Sequence, residues 1–282
     1  MDFTAVLAQI KPKLGCVADN LKTVEEQIIK ARESGAELIV FPELALSGYF
    51  LKDLVPDAAL RSDSPEIRRL IELSRGISIA IGFVEETDDY HFFNSALYLE
   101  DGAIRHLHRK VYLPTYGLFD EQRYLARGTT FRAFDTKFGR FGMLICEDMW
   151  HLSASYILAM DGATTLICLS SSPARGIEGD SLGSAAAWQK LTSTTALFLN
   201  CRVLYSNRVG FEDGVNFWGG SEYVAPSGES IVRGALLEVD FITAQVDEGA
   251  LRRERIFSPM IRDENLFVTM QDLQRIAQER GR

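Results

Sequence analysis

Apolar runs and amphipathic stretches alternate along the chain, and this alternation predicts an α/β fold. Residues 6–10 and 38–41 are apolar enough to form buried strands. Between them, residues 21–31 carry apolar side chains at helical spacing, after the candidate caps Asp19 and Asn20. The first part of the chain is therefore a predicted strand–helix–strand unit.

The pattern changes near residue 95, where a predicted hairpin follows two strand–helix units. Its strands cover residues 95–99 and 104–109, with a turn at Asp101 and Gly102. The other predicted elements are a helix over 66–75, strands over 77–83, 138–145, 164–169 and 197–204, a helix over 185–195, a turn over 226–229 and a C-terminal helix over 271–280. No linker interrupts them, so we expect one domain over residues 1–282.

Composition and charge limit the classes of partner. The 282 residues are 46% hydrophobic and 24% charged, which is ordinary for a globular domain with a large core. They include 39 acidic and 30 basic residues, a net charge of -9, so a polyphosphate backbone is repelled and no nucleic-acid partner is expected. Residues from about 252 to 282 form a charged tail that either contacts a partner subunit or lies on its own surface.

The N-terminal residues and the cysteines indicate a compartment. The N-terminus lacks the features of a secretory signal, and no apolar run reaches about 18 residues, so no membrane partner is expected. A chain of this size is expected to keep its cysteines reduced. We therefore predict a cytoplasmic protein, in which Cys168 and Cys201 are core residues and a free thiolate can survive as a nucleophile.

Three segments combine residue types that suit acyl-transfer chemistry. They are Phe-Pro-Glu-Leu-Ala-Leu-Ser-Gly-Tyr at 41–49, Arg-Lys-Val-Tyr-Leu-Pro at 109–114 continued by Phe-Asp-Glu-Gln-Arg-Tyr at 119–124, and Gly-Met-Leu-Ile-Cys-Glu-Asp-Met-Trp at 142–150. In this order the segments resemble the nitrilase superfamily of carbon-nitrogen hydrolases. The resemblance extends to Asn-Arg-Val-Gly at 207–210 and Phe-Trp-Gly-Gly-Ser at 217–221.

The resemblance implies a four-layer α-β-β-α sandwich and a role for each of several residues. Glu43 is implied as the general base, Lys110 as the cation, Cys146 as the nucleophile and Glu121 as a supporting carboxylate. The oxyanion donors are implied to be the Lys110 ammonium and the backbone N–H of Glu147. A free thiol with a pKa of about 8.5 is mostly protonated at neutral pH, so it needs an adjacent proton acceptor or cation to react.

Within the superfamily, the segments at 42–49, 113–121 and 145–150 look most like the glutaminase domain of glutamine-dependent NAD synthetases. The Ser-Gly-Gly-x-Asp-Ser loop of the synthetase half does not occur in these 282 residues. The stretch at 170–176 begins like the glutamine-binding segment of that family, but Ala174 replaces its usual aromatic residue.

Candidate substrate-binding residues follow from their positions in these motifs. They are Tyr116, Trp150, Ser172 and Arg175. The leading hypothesis is an amidase that converts a small carboxamide into acid and ammonia. The alternatives are a nitrilase acting on a small nitrile, a glutaminase subunit that supplies ammonia to a separate synthetase-like partner, and an inactive binding module. The resemblance also implies a homodimer or a higher homo-oligomer.

The histidines are candidates for metal ligands or for a partner of the thiol. His106 and His108 alternate on one face of a predicted strand, and no third ligand has matching spacing, so a solvated strand face is favoured over a metal site. His151 follows Cys146 by five residues, whereas Cys–His partners are usually distant in sequence. We expect no metal and no cofactor.

Overall fold

The computed structural model describes residues 1–178 and 181–281. The strands are β1 (Phe3–Gln9), β2 (Leu38–Val40), β3 (Ser78–Glu86), β4 (Phe92–Glu100), β5 (Ala103–Arg109), β6 (Phe134–Thr136), β7 (Gly139–Ile145), β8 (Thr165–Ser170), β9 (Ile177–Glu178), β10 (Ser181–Leu182), β11 (Arg202–Asn207), β12 (Val209–Glu212), β13 (Val215–Trp218), β14 (Glu222–Val224), β15 (Ser230–Arg233) and β16 (Asp240–Val246). The helices are α1 (Val17–Glu33), α2 (Val55–Ala58), α3 (Pro65–Leu73), α4 (Glu147–Trp150), α5 (Leu152–Met160), α6 (Gly183–Leu199), α7 (Glu248–Phe257), α8 (Met260–Asp263) and α9 (Leu266–Arg280). Single 3₁₀ turns cover Lys52–Leu54 and Glu121–Arg123.

Two six-stranded sheets form the centre of the fold. One has the strand order β16-β1-β2-β3-β4-β5 and the other β15-β14-β11-β8-β7-β6. In the first sheet β1, β2 and β3 are parallel, whereas β4 and β5 form the predicted hairpin. The hairpin turn has positive φ at Asp101 (52°) and Gly102 (74°), which is the backbone that a two-residue turn of this kind requires.

The layers follow from the two-residue period of the buried strands. In β1, Ala5 and Leu7 point into the core between the sheets, whereas Val6 points into the core under α1 and α3. Helices α5 and α6 cover the outer face of the second sheet through residues such as Leu158 and Trp188. The result is α-β-β-α, so the expected four-layer sandwich is confirmed.

Two local predictions are wrong. The strand expected over 197–204 begins only at Arg202, because α6 continues to Leu199 and ends at Asn200 in the left-handed conformation (φ 42°). An apolar run that continues a helix cannot be distinguished from a buried strand by its composition alone. The caps of α1 were also misplaced, since Asn20 lies inside the helix and its amide bonds the backbone of Lys13 instead.

The tail is helical from α7 to α9 and largely exposed. Its large apolar side chains include Phe257 and Phe267, which are 81% and 74% exposed. Within residues 1–178 and 181–281, no helix has the length and apolar character needed to cross a bilayer.

Candidate active site

The predicted base, cation and nucleophile lie at strand ends on one side of the sandwich. Strands β3 and β5 are both antiparallel to β4, so β2, β3 and β5 have their carboxyl ends at the same edge of the first sheet. Glu43 follows β2 and Lys110 follows β5 at that edge. Cys146 follows β7 at the corresponding edge of the second sheet, and the Ser171 hydroxyl joins the two sheets there by donating to the Glu43 carbonyl (3.1 Å).

Lys110 lies at the centre of this cluster and is 1% exposed. Its Nζ is 2.7 Å from Glu43 Oε1 and 2.7 Å from Glu121 Oε1. The Asn94 amide also donates to Glu43 Oε1 (2.8 Å), and the Tyr49 hydroxyl donates to Glu121 Oε1. The structure therefore brings the predicted base, cation and second carboxylate together, and it adds Asn94 and Tyr49, which the sequence analysis missed.

Burial and neighbouring charges act in opposite directions on the ionisable groups of this site. Burial alone lowers the pKa of Lys110, but the negative charges of Glu121 and Glu43 outweigh it and hold that pKa well above its ordinary value. Burial raises the pKa of Glu121 to about 7, against the opposing effect of the Lys110 ammonium. Lys110 is therefore charged throughout the physiological range, whereas Glu121 titrates within it.

The titration of Glu121 predicts a pH-dependent stability. In the unfolded chain the carboxyl loses its proton near its ordinary pKa of 4.5, whereas in the folded chain it holds it up to about 7. Between these values the folded state binds more protons, so its stability falls as pH rises. We expect the free energy of unfolding of the wild type, relative to Glu121→Gln, to fall from pH 5 to pH 7 by at most about 1.4 kcal/mol per pH unit.

Chemical denaturation of both proteins at pH 5, 6 and 7 measures this difference. Glu229→Gln, which alters an exposed carboxylate, is the control and should show no comparable slope. A wild-type stability that rises relative to Glu121→Gln over this range would contradict the assignment.

Cys146 lies on a strained turn between β7 and α4. Its φ of 46° and ψ of -99° are unusual for a residue with a side chain, and its backbone N–H donates to the Leu169 carbonyl (2.8 Å). The Ser170 hydroxyl donates to Cys146 Sγ at 3.5 Å. Burial and the Glu43 charge raise the pKa of the Cys146 thiol above its ordinary range, although Lys110 and Ser170 act in the opposite direction. The resting thiol is therefore protonated.

An acceptor for the thiol proton is available nearby. Glu43 Oε2 is buried and has no hydrogen-bond partner among the described residues, whereas Oε1 is held by Lys110 and Asn94. The backbone N–H of Glu147, the first residue of α4, likewise has no acceptor in the described part of the chain. Within the described residues, one buried acceptor, Glu43 Oε2, and one backbone donor, the Glu147 N–H, are thus without partners.

Cys146 opens into a cleft of about 330 Å³. The four predicted substrate-binding residues, Tyr116, Trp150, Ser172 and Arg175, all line it. They are joined there by Trp188, which the sequence analysis did not single out and whose indole N–H donates to the Ser172 hydroxyl (2.8 Å).

The cleft carries charges of both signs. The Arg175 guanidinium lies over the Phe119 ring, 4.7 Å from its centre, and its Nη2 is buried without a hydrogen-bond partner among the described residues. Glu147 Oε2 accepts from the Tyr116 hydroxyl (2.8 Å). The lining of the cleft therefore includes one cation, Arg175, and one carboxylate that already accepts a hydrogen bond.

The histidines near the site lie in packed surroundings. The solvated strand face is wrong, because His108 is 3% exposed and His106 stacks on Phe134 with ring centres 4.2 Å apart. His151 stacks on Tyr112 instead of bonding to the thiol (ring centres 3.5 Å apart). Within residues 1–178 and 181–281, no three His, Cys, Asp or Glu side chains are grouped as metal ligands.

Comparisons with known proteins agree with the motifs and the fold. Residues 4–255 match the profile of the carbon-nitrogen hydrolase family. The chain is 34% identical over 275 residues to the glutamine-dependent NAD(+) synthetase of Thermotoga maritima, which covers 95% of this chain but 44% of that protein. It is 28% identical over 257 residues to the N-carbamoylputrescine amidase of Solanum lycopersicum, covering 85% of this chain and 84% of that protein.

A solved structure gives the same result. The glutamine-dependent NAD+ synthetase of Acinetobacter baumannii, in complex with ADP, superposes with a TM-score of 0.79 at 30% identity, over 89% of this chain and 47% of that one. The chain spans about half the length of the synthetases that it matches. Its sequence profile and its fold together show that the chain belongs to the carbon-nitrogen hydrolase family, within the nitrilase superfamily that its motifs resemble.

Proposed function

We propose that the chain hydrolyses a small carboxamide to an acid and ammonia through a thioester on Cys146. One observation carries the proposal: the Lys110 ammonium is buried between Glu43 and Glu121, Glu43 Oε2 has no hydrogen-bond partner among the described residues, and the Cys146 thiol lines a cleft. This arrangement supplies a nucleophile, a proton acceptor and a fixed positive charge in a site that excludes most water.

The first half of the reaction forms the thioester. Glu43 Oε2 takes the thiol proton while Sγ attacks the amide carbon, because a thiol with a raised pKa does not ionise beforehand. The oxygen that becomes negative is stabilised by the Lys110 ammonium and the Glu147 N–H, and such donors are commonly worth about 2.7–4 kcal/mol each. Glu43 then returns the proton to the nitrogen, the C–N bond breaks and ammonia leaves.

The second half releases the acid. Glu43 takes a proton from a water molecule, whose oxygen attacks the thioester carbon. The C–S bond breaks, the acid departs and the proton returns to the sulfur, so the enzyme is restored. Glu121 keeps Lys110 charged and in place throughout and exchanges no atoms with the substrate.

A glutaminase subunit that supplies ammonia to a separate synthetase-like partner is the second candidate. Two observations favour it: the relatives named as glutamine-dependent NAD(+) synthetases, and the Arg175 side chain in the lining of the cleft. A guanidinium suits the carboxylate of an amino-acid amide. The four groups Glu43, Lys110, Glu121 and Cys146 also suit attack on a nitrile, so the assay includes nitriles.

A panel of amides and nitriles tests the proposal. Purified wild type and Cys146→Ala are incubated with glutamine, asparagine, small neutral amides and nitriles, and released ammonia is measured. We expect release from at least one amide by the wild type and none by the variant. Release from glutamine only after a synthetase is added supports the subunit, whereas equal release by Cys146→Ala refutes thiol catalysis.

Arg175 separates substrates that bear a carboxylate from neutral ones. A hydrogen bond to a charged group contributes about 1.5–3 kcal/mol, so Arg175→Ala should raise the KM for glutamine-like amides about 10- to 100-fold. Neutral amides should change little. Arg68→Ala, which alters an exposed arginine on α3, is the matched control. Equal losses for both substrate types would contradict a carboxylate-binding role.

We also propose that the tail contributes to a homo-oligomer. Helix α9 buries none of its side chains against the described part of its own chain, although it carries several large apolar residues. Sedimentation velocity should find a dimer or a larger assembly, and a monomer at all concentrations would end this proposal.

A further inference from the structure

Asp148 is a fully buried carboxylate two residues after the nucleophile, and none of the steps above uses it. Its Oδ1 accepts from the backbone N–H groups of Val111 and Tyr112, each at 3.0 Å. Its Oδ2 accepts from the N–H of Ile145 (3.1 Å) and lies 2.8 Å from His108 Nε2. Three backbone groups and one imidazole thus converge on one side chain.

These contacts join the two halves of the candidate active site. Val111 and Tyr112 directly follow Lys110, which comes from the first sheet, and Ile145 directly precedes Cys146, which comes from the second. We propose that Asp148 is a positioning residue that fixes the Lys110 ammonium relative to the Cys146 sulfur, with His108 as the buried group that holds its second oxygen. This inference rests on the proposed thiol chemistry and deepens it.

The geometry explains why a side chain that bonds both segments is needed. Cys146 has a strained backbone that persists only where its surroundings determine it. The hydrogen bond from its N–H to the neighbouring strand is not enough, because the sulfur and the ammonium belong to different sheets. A displacement of about 1 Å between reacting groups commonly costs about 100-fold in rate. A charged acceptor that binds both chain segments limits that displacement.

Asp148→Asn tests the proposed positioning role with almost no change in side-chain volume. The Asn oxygen can still accept from Val111 and Tyr112, but its amide group then faces the Ile145 N–H, a donor against a donor. The probe is iodoacetate, which carries no amide group, and the rate of Cys146 alkylation is followed from pH 7 to pH 10 by peptide mass spectrometry. Glu222→Gln is the matched control, because it alters another buried carboxylate, which bonds Thr192 and Arg233 and neither of the segments that carry Lys110 and Cys146.

We expect Asp148→Asn to slow alkylation at pH 7 at least about tenfold relative to Glu222→Gln. The difference in rate between the two variants should narrow toward pH 10, because hydroxide can then take the thiol proton in place of Glu43. A purely structural role would lower the unfolding temperature of both variants and leave this pH profile unchanged, which would overturn the inference. If Asp148→Asn does not fold, His108→Leu replaces it. Loss of the Nε2 donor should slow alkylation in the same pH-dependent way. An unchanged pH profile in His108→Leu would count equally against the inference.

This readout separates the two proposals. Alkylation does not require an amide substrate, so a wild type that releases no ammonia refutes the proposed function while the comparison of variants still measures the effect of Asp148. Conversely, equal alkylation profiles alongside ammonia release by the wild type refute only the role of Asp148.

Discussion

Lys110→Met should abolish ammonia release and lower the free energy of unfolding by about 3–5 kcal/mol. The motif alone suggests a variant that loses turnover with its fold intact. Burial changes that expectation, because the substitution would leave Glu43 and Glu121 without the cation that both contact at 2.7 Å. Ammonia release and urea denaturation of the purified variant measure the two effects.

Two comparisons make this prediction specific. Lys190→Met alters an exposed lysine and should leave both activity and stability nearly unchanged. Adding Glu121→Gln to Lys110→Met removes one unpaired carboxylate, so the double variant should recover part of the lost stability and none of the activity. Normal turnover by Lys110→Met would show that catalysis does not require the Lys110 ammonium.

Glu43→Gln should lower kcat about 100- to 10,000-fold while changing KM little, because general-base catalysis contributes effects of this size. The glutamine oxygen can still accept from Lys110 and Asn94, so the fold should persist. The free Oε2, however, becomes an amide nitrogen that cannot take a proton. Steady-state kinetics on the best amide of the panel checks the prediction.

Gly82→Ala tests the role of Glu43 in a second way, by changing the position of its backbone. A Cβ at position 82 would lie 2.9 Å from the Glu43 Cα and 2.5 Å from the Leu44 nitrogen, so the segment that carries Glu43 must move. A loss of kcat in this variant as well would support the position of the base, whereas a fully active Glu43→Gln protein would show that another group accepts the proton.

The sequence predicted the elements that carry the site better than the contacts that complete it. Strand ends could be located from apolar runs and their terminating residues, so the positions of Glu43, Lys110 and Cys146 after three strands follow from the pattern. The network around them could not be predicted in this way. Tyr49 and Asn94 are separated from their partners by 72 and 51 residues, and no local period relates such distant positions.

His108 illustrates the same limit. The alternation of side chains correctly places His108 on the opposite face of β5 from the residues before and after it. The same alternation cannot tell which face of the strand is covered by the other sheet. The covering group is Asp148, which lies 40 residues further along the chain. The misplaced start of β11 has a different cause, since helical and extended apolar runs share a composition and only the left-handed Asn200 marks the boundary.

The central claim is that Cys146 carries the acyl group while the nitrogen leaves. Rapid acid quenching of the enzyme with an amide that it hydrolyses, followed by peptide mass spectrometry, tests this claim most directly. The account predicts an added mass equal to the amide minus ammonia on the Cys146 peptide, lost on treatment with hydroxylamine and absent from Cys146→Ala. Ammonia release that continues in Cys146→Ala, or an adduct on a different residue, would contradict it.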